Sequence, residues 1–291
     1  MMMRYFFALW VICSVLCCMA EAYPSRLVLH RVQPDGRESL CTPVARYTDA
    51  AGRTVDLVGA VHLADARYYR NLNRAFVRYD KVLYEMVDGE GVPEMLRLSR
   101  KVAEGKSAAS EQKRLVELMS AGQRRNRSTE ALAQYYRVMA ELLGLSLQTE
   151  QVDYGLEQMV FADMSSEEFQ QAMTERGESW LTLACDALAE DLASQQGRVL
   201  SLPALSRPAL RREMVRALAS ASAGSRLQQR AIIVARNERC FTVLDRELAQ
   251  APTGSRLAVF YGAMHLADMH RRMLARGFTL QGVQWLTAIR A

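Results

Sequence analysis

Two histidines sit in near-identical heptapeptides at opposite ends of this 291-residue chain. His62 lies in GAVHLAD (Gly59 to Asp65) and His265 in GAMHLAD (Gly262 to Asp268), and the copies differ only at Val61 versus Met264. Each copy follows an apolar, strand-like run and precedes a helix-like one. Loops beyond the carboxyl ends of strands are where α/β folds place their chemistry. The glycine permits a tight strand exit or a close backbone approach, and the imidazole is both a metal ligand and a base near neutral pH. Glu85, in the run KVLYE, adds a carboxylate from what reads as a strand next to the one ending at His62. Two imidazoles and a carboxylate form a common ligand set for a catalytic divalent cation that keeps positions for water and substrate. One histidine after a strand is more often a hydrogen-bonded structural residue, but two in matched motifs favour function. Asp65 and Asp268 read as caps of the helices that follow, and His30 and His270 as ordinary structural residues.

The elements that must position these groups follow from pattern. Val44 to Tyr47 and Thr54 to Val61 flank a turn at Asp49 to Gly52 and predict a hairpin. A helix after Asp65 places Tyr69, Leu72, Phe76 and Tyr79 on one side. The run Lys81 to Val87 then predicts a second strand. Strand, helix, strand at this length is a βαβ unit whose strands are expected to be parallel and neighbouring. From Pro93 to about Gln250 the spacing is mostly helical, with breaks at Gly105, Gly122, Gly144, Gly177, Gly197, Pro203, Pro208 and Gly224. Ser165 to Glu168 is a capping-box start. Ala231 to Leu248 carries an apolar face fit to pack on a sheet. After Arg256 the strand, loop, helix, strand order returns, ending in a strand near Gln281 to Ile289. The expected fold is therefore mixed α/β, with two related β-α-β units in a central mixed sheet and a large helical insertion. Its divisions are 23–92, 93–250 and 251–291. If the two units are related by approximate twofold symmetry, His62 and His265 face one another across a cleft that the helical block shapes.

Residues 1–22 carry Arg4, an apolar run from Phe6 to Met19 and the small-residue pattern Ala20-Glu21-Ala22, the layout of a cleaved signal peptide. The apolar run is shorter than the roughly 20 residues of a membrane span. The expected product is secreted or periplasmic, with no stable membrane insertion after cleavage. A net charge of +5 over this length is a weak signal. The separate arginine clusters at Arg124, Arg125 and Arg127, at Arg211 and Arg212, and at Arg271 and Arg272 lack interleaved aromatics, which argues against nucleic acid. Cys13, Cys17 and Cys18 fall in the leader. Cys41, Cys185 and Cys240 remain, which excludes a disulfide framework and any CxxC motif, while one disulfide plus a free thiol or three unpaired thiols both stay open. HExxH, GxSxG, Walker and Rossmann signatures are missing from the sequence.

The paired GxxH motifs, the glutamate of KVLYE, the NLNRAF helix (Asn71 to Phe76) and the Arg236-Asn237 pair resemble the TraB/GumN/TIKI family, related in fold to erythromycin esterases and haem-binding ChaN proteins. FADMSSEEF (Phe161 to Phe169) resembles a segment of secreted bacterial members, with Phe161 where some of those carry histidine. The resemblance runs over nearly all of the chain after the leader and is most specific from Val55 to Val87. It implies a core of two related halves and a metal-dependent peptidase centred on His62, Glu85 and His265, with Arg236 and Asn237 nearby. Arg236 would neutralise a substrate carboxylate or stabilise an oxyanion, or else pair with Glu85. The metal is a divalent ion, open among Mn, Co and Zn, and the partner a peptide or small-molecule substrate. The alternatives are a metal-free, esterase-like hydrolase and a non-catalytic protein that sequesters a peptide, haem or metal. Oligomeric state is not encoded in any motif.

Overall fold

The structure is a computed structural model that describes residues 27–122, 127–179, 206–220 and 229–291, together with Thr182. The leader-like residues 1–22, Arg124 and Arg125, Cys185, and the breaks at Gly197, Pro203 and Gly224 lie outside the described residues. The fold is mixed α/β, built on a seven-stranded sheet of parallel and antiparallel strands. Its strands are β1 (Leu29–Val32), β2 (Glu38–Thr48), β3 (Thr54–Ala60), β5 (Lys81–Tyr84), β7 (Met159–Phe161), β8 (Arg256–Gly262) and β9 (Thr279–Arg290). A separate two-stranded ladder joins β4 (Leu63–Ala64) to β6 (Ser146–Leu147).

The expected hairpin forms: β2 and β3 pair antiparallel with Val44 opposite Val58 and Tyr47 opposite Val55. The expected neighbourhood of β3 and β5 does not. Strand β8 lies between them, parallel to both, and β7 extends the parallel block on the far side of β5. Local pattern predicts that β3 and β5 run the same way, but a strand supplied 170 residues later is invisible to it. The two units are not a symmetric pair either. In the second unit, β9 pairs antiparallel with the long β2, on the edge of β2 opposite β3.

Three of the parallel strands are buried along most of their length, which is why TVDLVGA, RLAVFYG and KVLY read as nearly continuous apolar runs. Alternate side chains feed two cores. Val58, Ala60, Val82, Tyr84, Ala258 and Phe260 pack with the helices on one face, while Val55, Leu57, Leu83, Val259 and Tyr261 pack on the other. Each large apolar side chain buried this way contributes about 1.5–3 kcal/mol. The one charged interruption, Asp56, is 1 % exposed and takes two hydrogen bonds from Arg46 and one from the Tyr79 hydroxyl. It is a satisfied structural ion.

Helix α1 (Ala66–Phe76) buries Tyr68, Tyr69, Leu72 and Phe76 in the first core. The region 93–250 holds α2 (Val92–Ala103), α3 (Ala109–Gly122), α4 (Arg127–Leu143), the single turn α5 (Gln148–Gln151), α6 (Ser166–Glu175), α7 (Arg207–Ser220) and α8 (Ala231–Gln250). The capping box at Ser165 and Glu168 is present, and α8 lays Cys240, Phe241, Leu244 and Leu248 on the sheet as its apolar face predicts. Helix α9 (Leu266–Ala275) packs beside it. Cys41 and Cys240 are buried free thiols. Among the described residues no helix is long and apolar enough to cross a membrane.

Candidate functional site

The carboxyl ends of β3, β8, β5 and β7 open onto one edge of the sheet, and each delivers a polar side chain there. His62 follows β3, His265 follows β8, Glu85 is the first residue beyond β5 rather than a member of it, and Asp163 lies two residues beyond β7. Adjacent parallel strands, not a twofold axis, bring the two histidine loops side by side: Ala60 stands opposite Gly262.

The two heptapeptides nonetheless fold differently. After β8 the backbone turns through a 3₁₀ segment, Ala263–His265, directly into α9. After β3 the chain stays extended, because Leu63 and Ala64 pair with Leu147 and Ser146 before α1 begins. The carbonyls of Gly59 and Val61 accept from the hydroxyls of Tyr68 and Tyr69, and that of His62 accepts from the Gln148 amide. The aspartates diverge accordingly. Asp65 occupies the N-cap position of α1 but gives no side-chain cap; its carboxylate binds Arg211 and the backbone amide of Arg290. Asp268 is not a cap either. It lies inside the first turn of α9, where Arg271, Arg272 and Asn237 hold it. The cap expectation fails for both, because arginines take these carboxylates, Arg211 of α7 at Asp65 and Arg271 and Arg272 of its own helix at Asp268.

Glu85 is 9 % exposed and sits in a tight electrostatic cluster. Its Oε2 accepts from the Gly262 amide at 2.5 Å, and its Oε1 lies 2.8 Å from Arg236 Nη2 and 3.5 Å from His265 Nε2. A Cβ at position 262 would come within 3.3 Å of Oε2, so the motif's glycine is the residue that lets the carboxylate reach the strand end. Burial opposes ionisation of Glu85, but the Arg236 guanidinium and the two imidazoles outweigh it and hold the carboxyl well below its usual range. Arg236 also forks onto Asp163, with Nε to Oδ1 at 2.9 Å and Nη2 to Oδ2 at 2.5 Å. The pairing of Arg236 with Glu85 is therefore present, and it is shared with a second acid. Nη1 makes no hydrogen bond to the described residues, which leaves one donor edge of the guanidinium open.

The tautomer of His265 can be deduced. Asn237 Nδ2 donates to the His265 carbonyl and to Asp268 Oδ2, so its Oδ1 is the atom facing His265 Nδ1 at 2.7 Å. Nδ1 must then carry the proton, and in the neutral ring Nε2 presents a lone pair toward Glu85. A lone pair facing a carboxylate calls for a cation or a proton between them. Such outer support, here the chain Arg272–Asp268–Asn237–His265, is how ligating and basic histidines are fixed. The ring is 4 % exposed and packs edge-on against Tyr261, with centroids 5.2 Å apart.

His62 is enclosed by protein on most sides yet keeps solvent exposure on the cleft side. Its ring lies 5.2 Å from that of Tyr136. Its crowded setting lowers its pKa and Arg236 and His265 lower it further, while the field of Glu85 and a hydrogen bond with the Gln148 side chain work the other way. The imidazole is thus neutral at pH 7, the form that binds a metal or accepts a proton.

The cleft above these groups has a volume of about 2110 Å³ and is walled by the helical insertion, including Met95, Tyr136, Gln148, Phe169 and Ile232. All five residues singled out in the sequence, His62, Glu85, Arg236, Asn237 and His265, gather at this sheet edge. The donor set of two imidazoles and one carboxylate suits a divalent ion, and His265 Nε2, facing Glu85, fits that use. Among the described residues, however, no group of three or more His, Cys, Asp or Glu side chains already stands at ligand spacing. Sequence reasoning misses Asp163, Tyr136 and Gln148. Asp163 follows a three-residue strand too short to show a period, and the other two come from the insertion without a motif. Comparison with protein-family models, curated proteins and solved structures finds no match to this chain.

Proposed function

We propose that this protein is an exported metal-dependent hydrolase, with peptides as its substrates and His62, Glu85 and His265 as its metal-holding and catalytic groups. The observation that carries the reading is His265 Nε2, turned by Asn237 toward the Glu85 carboxylate 3.5 Å away. A bound Mn, Co or Zn ion would supply an acidified water and polarise the scissile carbonyl. The chain's own part is positional. Asn237 keeps the proton on Nδ1 of His265, Asp163 and Glu85 hold Arg236 in place, and the open Nη1 edge of Arg236 is a donor for the oxyanion of an attacked carbonyl. The cleft volume exceeds the roughly 300–1,000 Å³ of typical small-molecule sites and suits an extended peptide. Export is supported by the leader-like composition of residues 1–22.

A second reading, metal-free hydrolysis with an imidazole as general base, is favoured by the occupancy of Glu85. Its two oxygens already face Gly262 N–H and Arg236. One experiment separates the readings: elemental analysis and a peptide-library cleavage screen on wild type, His62→Ala and His265→Ala, each with and without chelator. The metal reading expects stoichiometric metal in wild type, its loss in both variants, and cleavage abolished by chelator. Equal metal content in all three proteins overturns it, and cleavage that survives chelation supports the imidazole base.

A further inference from the structure

The short ladder that draws out the first heptapeptide also chooses a neighbour for its histidine. Leu63 stands opposite Leu147 and Ala64 opposite Ser146, so the antiparallel register continues by one pair to His62 and Gln148. The Gln148 amide donates to the His62 carbonyl at 3.0 Å, which closes that pair. Directly opposed residues of an antiparallel pair send their side chains to the same side, with Cβ atoms about 4.5–5.5 Å apart. Both residues accordingly line the cleft. The second heptapeptide turns straight into its helix, and there His265 takes its support from Asn237 of α8.

Gln148 is itself held in place. It is 6 % exposed, and its Nε2 donates to the Tyr154 hydroxyl at 3.0 Å. Tyr154 is buried against the ring of Tyr84, with centroids 5.1 Å apart, and burial keeps its phenol protonated. With Nε2 engaged there, the amide turns Oε1 the other way. Oε1 is sealed from solvent, and no donor among the described residues meets it at full hydrogen-bond geometry. The group that the Gln148 side chain reaches is the His62 imidazole, whose protonated form this contact favours. A buried amide oxygen beside a ring that carries an N–H is satisfied by accepting from it.

We propose that Gln148 is the positioning residue of His62, as Asn237 is of His265: Gln148 Oε1 accepts from the N–H of the ring nitrogen nearest it and leaves the other nitrogen to the cleft. The role rests on the metal-holding reading of His62 only for the use made of that second nitrogen. Supports of this kind fix the tautomer and orientation of histidines that ligate metals. The two supports differ in what stands behind them. Asn237 is backed by the ion pair of Asp268 and Arg272, whereas Gln148 is backed by a neutral phenol. The helical insertion that walls the cleft thus also sets one of its two histidines.

The test is two-bond proton–nitrogen NMR of the full chain with isotope-labelled histidine, stripped of metal, at about pH 8, where a neutral ring reports which nitrogen holds its proton. His62→Ala identifies the His62 signals. The expected result is a single tautomer for His62 in wild type and signals averaged between the two tautomers in Gln148→Leu, with the His265 pattern unchanged to show that the variant is folded. Tyr154→Phe frees the amide to rotate and is expected to average His62 in part, so it decides the matter if Gln148→Leu does not fold. Zinc alone is then titrated in. It should shift the His62 nitrogen that bears no proton, and bind there about tenfold more weakly in Gln148→Leu. An averaged His62 in wild type, a single tautomer that survives in the folded variants, or zinc affinity at His62 unchanged by Gln148→Leu overturns the inference. A fixed His62 that zinc leaves unmoved keeps the inference and removes the metal reading instead.

Discussion

His62 and Glu85 both resist protonation, and the two shifts set separate pH windows. Because crowding lowers the folded pKa of His62 below 6.5, the neutral ring persists to mildly acidic pH. For the proposed hydrolase, kcat/KM should be level from pH 8 to about 6.5 and fall only below that; an acidic limb already developed at pH 7.5 would count against a neutral His62. Glu85 acts lower. Its folded pKa lies below the ordinary value of 4.5, so its contribution to stability is complete above that value and is lost as pH falls beneath it. Glu85→Gln should lower stability at pH 7 by about 2–4 kcal/mol and flatten the decline of the urea midpoint between pH 4.5 and pH 3. A wild-type slope retained in the variant would place the acid sensitivity elsewhere. These residues were legible because they recur: the heptapeptide repeat singles out His62 and His265, and the glutamate closes an apolar run. Asp163 and Gln148 were not, since a lone acid and a lone amide carry no period. Their roles come from partners, Arg236 and His62, that are distant in sequence.

At the scale of elements, the repeated GxxHLAD segments show tertiary pairing overriding local preference. One copy runs into a helix at once, while the other is drawn out by β6 before its helix starts. Strand, helix and capping-box positions were readable from spacing, whereas the order of strands was not, because β8 inserts between partners that the chain makes consecutively. The short β7 was also hidden within a region of helical spacing, although its register with β5 is what carries Asp163 to Arg236. The strand end at Gly262 offers a test of positioning without unfolding. Gly262→Ala puts a methyl 3.3 Å from Glu85 Oε2, a tight contact that should displace the carboxylate by a few tenths of an ångström. The expected outcome is a fall of about tenfold in kcat with stability within about 1 kcal/mol of wild type, since alanine also reduces the freedom of the unfolded chain. Unchanged turnover would mean that the Glu85–Gly262 contact does not set the reacting geometry.

For the molecule as a whole, Asp65 joins three regions of the sequence. Its carboxylate binds Arg211 of α7, within the insertion, and the amide of Arg290, in the last strand, while its own backbone starts α1. Asp65→Asn should therefore cost about 1–3 kcal/mol, more than a surface cap, and lower the urea midpoint with little change in the denaturant slope. A variant indistinguishable from wild type would show that the insertion is held by apolar packing alone. The placement of β8 has a consequence for how the chain is made. The strand that occupies the middle of the parallel block leaves the ribosome after some 255 residues have already emerged, so β3 and β5 exist for most of synthesis with unpaired edges and no partner between them. Such a sheet closes only after translation is nearly finished, through contacts of long sequence separation that form slowly. The nascent chain must be kept from pairing those edges with another molecule until its final eighth arrives.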